Sequence, residues 1–199
     1  MGGPAANGVL VIGYGNDLRG EDCAGRLAAE SISQWDCPDV EAMSLHQLGP
    51  ELAWNIAASR LVIFVDAFAA DLPIPEMVDR PGIAPKPVVP VQFKPRKGRK
   101  QPLAEHPVLI KLRPTVRDIS LGHASDPVTL LLLSRELCGR SPQAYMVGIP
   151  ARRFGIGDEL TEATKAAIIE AVDLIKMLSL WKLRTMPIKS VAVNQHLAT

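Results

Sequence analysis

Three short apolar runs, far apart along the chain, limit the fold more than any other feature of the sequence. They read "VLVI" at residues 9–12, "LVIFVDA" at 61–67 and "YMVGIP" at 145–150. Each run is too short for a typical helix and is dominated by aliphatic residues, which favours a strand buried on both faces. Strands buried on both faces are typical of parallel sheets covered by helices. The runs therefore predict an α/β fold.

Helical patterns and one further strand lie between these runs. The order strand, helix, strand, helix, strand, followed by helix, strand, helix, predicts a three-layer αβα fold with a mostly parallel central sheet of about five strands. Asp126 and Pro127 mark the start of a leucine-rich helix, and Gly139 marks its end. The predicted helices span residues 24–34, 50–58, 128–137 and 160–183, and the further strand spans 40–45.

A proline-rich, basic stretch interrupts this rhythm at approximately residues 71–118. Two segments within it, "PVVPVQF" at 87–93 and "HPVLIKL" at 106–112, could each be an edge strand, because proline in sheets is confined mostly to edges. Its basic cluster "KPRKGRK" at 94–100 is most simply a solvated loop, and docking to an acidic protein face is the functional alternative. We predict a single α/β domain over residues 1–185, this surface insertion, and a flexible tail over 186–199.

Charge, hydropathy and cysteine content restrict the class of protein. The formal net charge is +1, so no global charge favours nucleic acid or a membrane surface as a partner. No apolar run approaches the roughly 20 residues that span a bilayer. The three cysteines are odd in number and form no CxxC metal motif, which favours a reducing compartment. The sequence predicts a cytoplasmic protein without nucleic-acid or membrane partners.

The turn after the first predicted strand raises the question of its ligand. Gly13 and Gly15 match the start of the dinucleotide-binding pattern G-x-G-x-x-G, but Leu18 occupies the third glycine position. Glu21 and Asp22 would also repel a pyrophosphate at the helix end that should bind it. A nucleotide-binding α/β enzyme is therefore the weaker of the functional hypotheses.

An acidic turn at this place is better suited to a cation. Ligands of parallel α/β sheets gather outside the carboxyl ends of the strands, where Asp22, Asp66 and His123 are all expected. Two carboxylates and an imidazole suit a first-row transition ion with open coordination positions. Each residue has a structural alternative: Asp22 as a charge at a helix end, Asp66 as a strand end in water, and His123 as a loop residue.

The stretch "GYGNDLRGEDCAG" at residues 13–25 resembles the opening pattern G-x-G-N-x-L-x-x-D-[DE]-x-x-G of the hydrogenase maturation proteases. These endopeptidases trim the C-terminus of the [NiFe]-hydrogenase large subunit. "HQLGPELA" at 46–53 and "YMVGIPARRFGIGDELTEAT" at 145–164 also resemble family segments. The resemblance covers about residues 8–70 and 118–183. The one departure in the opening pattern is Glu21, where the family usually has aspartate.

This resemblance implies an aspartate/metal-type endopeptidase with catalytic and metal-binding residues Asp22, Asp66 and His123. In the family, the two acids and the histidine recognise nickel carried by the substrate, and another divalent ion could occupy the site. The implied partner is the precursor large subunit, met by a monomer. The long proline-rich middle resembles the branch serving soluble, NAD-coupled hydrogenases. The residues expected to support the turn or the substrate are Gly13, Gly15, Asn16 and Glu21.

Two alternatives bear on the same residues. A noncatalytic, metal-sensing maturation chaperone on this fold is motivated by Glu21 and by the long insertion. A cysteine protease based on Cys23 is disfavoured, because two neighbouring acids disfavour the thiolate. The sequence also has neither a G-x-S-x-G nucleophile elbow nor an HExxH zinc motif. Asn16 is expected to tie down the turn through side-chain-to-backbone hydrogen bonds.

Overall fold

The computed structural model describes residues 8–71, 104–113 and 126–185. His123, the segment "PVVPVQF", the basic cluster at 94–100 and the tail at 186–199 lie outside the described residues. The predictions for these segments therefore stay predictions.

Five strands form one sheet in the order β2-β1-β3-β5-β4. Strands β1, β2, β3 and β5 are parallel, and β4 pairs antiparallel with β5 at one edge. This arrangement confirms the predicted α/β fold with a mostly parallel sheet of about five strands. The strands are β1 Val9–Tyr14, β2 Val40–Leu45, β3 Leu61–Ala69, β4 Val108–Leu112 and β5 Gln143–Ala151.

Four α-helices cover the two faces of the sheet in pairs. Helices α1 and α4 bury their apolar residues with one side of the sheet, and α2 and α3 do so with the other. The central strands are buried on both faces, which explains why they read as continuous apolar runs. The helices are α1 Ala24–Ser33, α2 Leu52–Ala58, α3 Pro127–Cys138 and α4 Glu162–Thr185. Among the described residues, no helix is both long and apolar enough to cross a bilayer.

Helix α3 begins and ends where the sequence predicts. Asp126 caps its start by accepting hydrogen bonds from the backbone N–H groups of Val128 and Thr129, both at 2.9 Å. Gly139 follows its last residue with a φ of 68°, the left-handed conformation typical of a glycine C-cap.

Strand β4 lies within the stretch predicted as an insertion. The segment "HPVLIKL" contributes Val108–Leu112, which pairs with β5 so that Val108 is opposite Gly148. The prediction of an edge strand in this segment is confirmed. Part of the stretch that interrupts the α/β rhythm therefore extends the sheet.

Helix α1 contacts the sheet backbone directly because both sides of the contact lack side chains. A Cβ atom on Gly13 in β1 would overlap the carbonyl oxygen of Gly25 in α1. A Cβ atom on Gly25 would overlap the carbonyl oxygen of Val65 in β3 and lie 2.8 Å from that of Tyr14. Gly25 therefore permits close packing of the first helix on the sheet. The start of α1 is thereby fixed beside the carboxyl ends of β1 and β3.

Replacement of Gly25 by Ala should destabilise the fold by about 3 kcal/mol, because rigid backbone atoms must move to admit the methyl group. Chemical denaturation measures the change. Gly139→Asn is the matched control, since a side chain there enters open space and Asn tolerates the left-handed conformation. Equal stability of the Gly25→Ala variant and the wild type would contradict this account of the packing.

Candidate active site

The candidate site lies where the direction of strand addition reverses. The chain passes from β1 to β2 on one side, and β3 then returns to the other side of β1. Connections on opposite faces of the sheet leave a crevice outside the carboxyl ends of β1 and β3, which is where open α/β sheets bind ligands. Tyr14 ends β1, and Asp66 follows Val65, the β3 residue paired with Gly13. Both residues therefore lie at this crevice.

Asp66 is a largely buried carboxyl group at the crevice. Burial raises its pKa to about 6 from an ordinary value of 3.8. Hydrogen bonds from the Tyr14 hydroxyl and the Ala67 N–H, the latter at 2.8 Å, oppose this rise, and the charge of Asp22 adds to it. Asp66 thus changes charge closer to neutral pH than an ordinary aspartate does.

Tyr14 is the hydrogen-bond donor that orients Asp66. Burial raises the pKa of its hydroxyl well above the ordinary value, and the negative charges of Asp66 and Asp126 raise it further. The hydroxyl therefore stays protonated and donates to Asp66 throughout the physiological pH range. Sequence reasoning missed Tyr14. Its position beside Asp66 at the end of the neighbouring parallel strand is the signal that could have found it.

Asp22 is held by the turn that follows β1. Its Oδ2 atom accepts a hydrogen bond from the N–H of Asn16 at 2.9 Å. Gly15 has a φ of 143°, and a Cβ atom there would overlap the carbonyl oxygen of Asp22. The side chain of Asn16 accepts a hydrogen bond from the N–H of Leu18 at 2.9 Å. The predicted role of Asn16 in tying down the turn is confirmed.

Glu21, next to Asp22 in the 3₁₀ helix Gly20–Cys23, joins the turn after β1 to the segment after β5. Its side chain is 0% exposed. The carboxylate accepts hydrogen bonds from the backbone N–H groups of Arg152 at 2.5 Å, Arg153 at 3.0 Å and Thr161 at 2.8 Å. Its own N–H donates to the carbonyl of Arg153 at 2.8 Å. Glu21 therefore supports the turn, and its carboxylate is fully occupied by this second segment.

The hydrogen bonds also decide the charge of Glu21. Burial alone would raise the pKa, but the donors from Thr161, Arg152 and Arg153 lower it to about 2 from an ordinary 4.5. Hydrogen bonds to the ionised form stabilise it. Glu21 is thus a buried carboxylate that stays ionised at all physiological pH values.

Cys23 has the properties of a structural thiol. Its Sγ atom donates to the carbonyl of Gly20 at 3.1 Å. Burial raises its pKa, and the charge of Asp17 raises it further. The expectation that neighbouring acids disfavour the Cys23 thiolate is confirmed. The ring of His46, the histidine nearest to Cys23 in the sequence, contacts Arg26.

The structure describes two of the three predicted metal ligands, Asp22 and Asp66. Asp22 lies close enough to Asp66 for its charge to raise the pKa of Asp66. His123 lies outside the described residues, and its place at the site stays a prediction. Within residues 8–71, 104–113 and 126–185, no three His, Cys, Asp or Glu side chains form a metal-binding group. Helix α3, which the sequence places shortly after His123, starts near this crevice, because the charge of Asp126 acts on Tyr14.

Solved structures of other proteins share this arrangement of strands and helices. The [NiFe] hydrogenase maturation protease HycI from Thermococcus kodakarensis matches 87% of this chain and 93% of its own, with 21% identity and a TM-score of 0.56. The hydrogenase maturating endopeptidase HybD from E. coli matches 86% of this chain and 91% of its own, with 18% identity and a TM-score of 0.55. The [NiFe] hydrogenase maturation protease HybD from T. kodakarensis matches 86% of this chain and 99% of its own, with 19% identity and a TM-score of 0.53.

The chain has the fold of the [NiFe] hydrogenase maturation proteases. The resemblance drawn from the sequence motifs is confirmed at the level of the fold. No protein-family model and no curated protein sequence matches the chain. At identities near 20%, this likeness to maturation proteases establishes the architecture, and the chemistry must be argued from the side chains.

Replacement of Asp66 by Asn should stabilise the protein above pH 6. The pKa of Asp66 is about 6 in the fold and 3.8 ordinarily, so between pH 3.8 and pH 6 the folded protein holds a proton that the unfolded chain has lost. The stability of the wild type therefore falls as the pH rises from 3.8 to 6. Asn carries no charge and avoids this cost, so the gain at pH 7 is about 1–3 kcal/mol. Urea denaturation at pH 4 and pH 7 measures it. A variant less stable than wild type at both pH values would contradict the burial of this charge.

Replacement of Glu21 by Gln should destabilise the protein at neutral pH, in contrast to the replacement of Asp66 by Asn. With a pKa of about 2 in the fold and 4.5 ordinarily, the ionised carboxylate contributes stability that is present above pH 4.5 and lost as pH falls towards 2. The variant should lose about 3 kcal/mol at pH 7. Its deficit relative to wild type should shrink to less than half of that at pH 3. A deficit that does not depend on pH would show that shape, and not charge, makes Glu21 stabilising.

Proposed function

We propose that this protein is an endopeptidase that removes a C-terminal peptide from the nickel-loaded large subunit of a [NiFe]-hydrogenase. The observation that carries the proposal is the Asp66 carboxyl group at the crevice between β1 and β3, whose pKa is raised by burial and by the charge of Asp22. The maturation-protease fold and the opening motif at residues 13–25 support it. The precursor large subunit is the corresponding partner.

In this proposal the nickel arrives as part of the substrate. The Asp22 carboxylate accepts a hydrogen bond from the N–H of Asn16, and the Asp66 carboxylate accepts one from the N–H of Ala67. Their remaining oxygen lone pairs are available to a cation. His123 is the proposed third ligand and would bind as neutral imidazole. A nearby cation also offsets the unfavourable burial of the Asp66 carboxylate. Metal recognition would thus explain why a charged group is placed there.

Hydrolysis of the peptide bond needs a group that accepts a proton from water. General bases work best when their pKa lies near the working pH, and the pKa of Asp66 is raised to about 6. Tyr14 keeps the Asp66 carboxylate oriented through its hydroxyl. Cys23 is unsuited to nucleophilic attack because burial raises its pKa. The chemistry therefore centres on Asp66 and water.

The alternative of a noncatalytic chaperone rests on Glu21 and on the long insertion, and the hydrogen bonds of Glu21 weaken the first of these arguments. Glu21 departs from the family pattern, but its carboxylate binds the backbone of residues 152–161 and leaves the Asp22 carboxylate in place. The nucleotide alternative is opposed by two carboxylates at the crevice where a pyrophosphate would bind. Neither alternative is favoured by an observation of its own.

Processing of a nickel-loaded, C-terminally extended precursor tests the proposal. The wild-type protein should shorten the precursor, as seen by mass spectrometry of the intact subunit. Asp22→Asn and Asp66→Asn should each slow processing by about 100-fold or more, and His123→Ala should do the same. Asp173→Asn is the matched control, because Asp173 is an exposed aspartate on α4 away from the crevice. Capture of the intact precursor without shortening would overturn the proposal in favour of the chaperone.

A further inference from the structure

Two large aliphatic side chains stand out into solvent beside the candidate active site. Leu18, in the turn after β1, is 71% exposed, and Ile156, in the segment after β5, is 88% exposed. The N–H of Gly157 donates a hydrogen bond to the carbonyl of Leu18 at 3.1 Å. The two exposed residues are therefore neighbours across one backbone contact. We call Leu18 and Ile156 the apolar lip.

The backbone on both sides of the apolar lip is held in place. The N–H of Leu18 donates to the side chain of Asn16 at 2.9 Å. On the other side, the N–H of Gly155 donates to Asp158 at 2.8 Å, and Glu21 binds three further N–H groups of the same segment. An apolar surface on an ordered backbone loses little conformational entropy when a partner binds, which favours recognition.

The apolar lip adjoins the catalytic carboxylates through the same turn. Asn16 accepts the hydrogen bond from Leu18, and its own N–H donates to Asp22. The exposed Leu18 and the Asp22 carboxylate therefore belong to one hydrogen-bonded turn. Exposed apolar side chains that border a polar crevice mark a binding surface more strongly than scattered ones do.

The charges of the two segments favour a negatively charged partner. Arg19, Arg152 and Arg153 are exposed, and their side chains form no ion pair within the part of the chain that the structure describes. Among the carboxylates of the same segments, Asp17 pairs with Arg26, whereas Asp158 and Glu159 keep their charges. The three exposed arginines therefore outnumber the two exposed carboxylates that lack an ion pair.

We propose that the apolar lip docks the protein substrate through an extended segment that carries an apolar side chain next to a carboxylate. This proposal rests on the proposed endopeptidase function and adds the surface that selects the substrate. Leu18 and Ile156 contact the apolar side chain, and Arg19 with Arg153 attract the carboxylate. The contact forms equally in the bound substrate and in the transition state, so it lowers KM.

The kinetics of precursor processing test the docking surface. The double variant Leu18→Ser, Ile156→Ser should raise KM by about 10-fold and change kcat by much less. Ile169→Ser is the matched control: Ile169 is 65% exposed on α4 and belongs to neither segment, so KM should not change. Because surface substitutions have small effects on stability, all variants should keep the wild-type melting temperature within a few degrees.

A second set of variants tests the charge and identifies its source in the substrate. Arg19→Gln with Arg153→Gln should raise KM and weaken its dependence on salt. The carboxylate is either an acidic side chain or the end of the precursor chain. A precursor lengthened by two glycines moves the chain end and leaves acidic side chains in place. A higher wild-type KM for the lengthened precursor identifies the chain end, and an unchanged KM identifies a side chain.

The outcomes separate the docking proposal from the proposed function. If the wild type processes the precursor and the double serine variant has the same KM, the docking proposal is overturned and the endopeptidase function stands. If the wild type leaves a competent precursor intact, the endopeptidase function fails and the docking proposal fails with it. A rise in KM for Ile169→Ser equal to that of the double variant would also overturn a specific role for the apolar lip.

Discussion

The contact between the first helix and the sheet backbone is the constraint on which the candidate site depends. Gly13 and Gly25 remove the side chains that would separate α1 from β1 and β3. This contact fixes the start of α1, and with it the 3₁₀ helix that carries Asp22, beside the end of β1 and Val65 of β3. Because backbone atoms contact backbone atoms, the position tolerates very little displacement. The two glycines thereby hold Asp22 in the region where its charge acts on Asp66.

Two carboxyl groups of the candidate site, Glu21 and Asp66, differ in their pKa because their hydrogen bonds differ. Glu21 faces the segment after β5, where its hydrogen bonds hold its pKa near 2, and it acts as a permanent structural charge. The nearby Asp66 has fewer donors and a pKa near 6, so its charge responds to pH and to a cation. The number of hydrogen-bond donors decides which carboxylate is structural and which is available for chemistry.

The free-energy cost of ionising Asp66 in the fold is consistent with a functional role. Burial of Asp66 opposes ionisation, and the charge of Asp22 opposes it further. Such strain is expected where a protein must bind a cation or move a proton, because a group that is already satisfied has little to gain from a ligand. A fold selected for stability alone would have placed an amide or an apolar residue at position 66.

Much of the fold follows from the sequence itself. Burial on both faces makes each central strand a continuous apolar run, so β1, β3 and β5 are visible in the sequence. Asp126 and Gly139 determine the ends of α3 through local backbone chemistry. The sequence also predicts that Asp22 and Asp66 lie near each other, because the carboxyl ends of parallel strands share one edge of a sheet, and the charge of Asp22 does act on Asp66.

Other features depended on tertiary structure. The hydrogen bonds of Glu21 reach residues about 130 to 140 positions away, and no local pattern encodes a partner at that distance. No local pattern marks the role of Tyr14 either, because that role depends on which strand lies next to β1. The two residues of the apolar lip are likewise neighbours only because the segments after β1 and β5 adjoin in the fold. The sequence by itself determined which residues form the central strands and helices, because these preferences act between near neighbours. Only the tertiary structure decided that Glu21 stays ionised while the pKa of Asp66 rises to about 6, because burial and hydrogen bonding arise from contacts between distant segments.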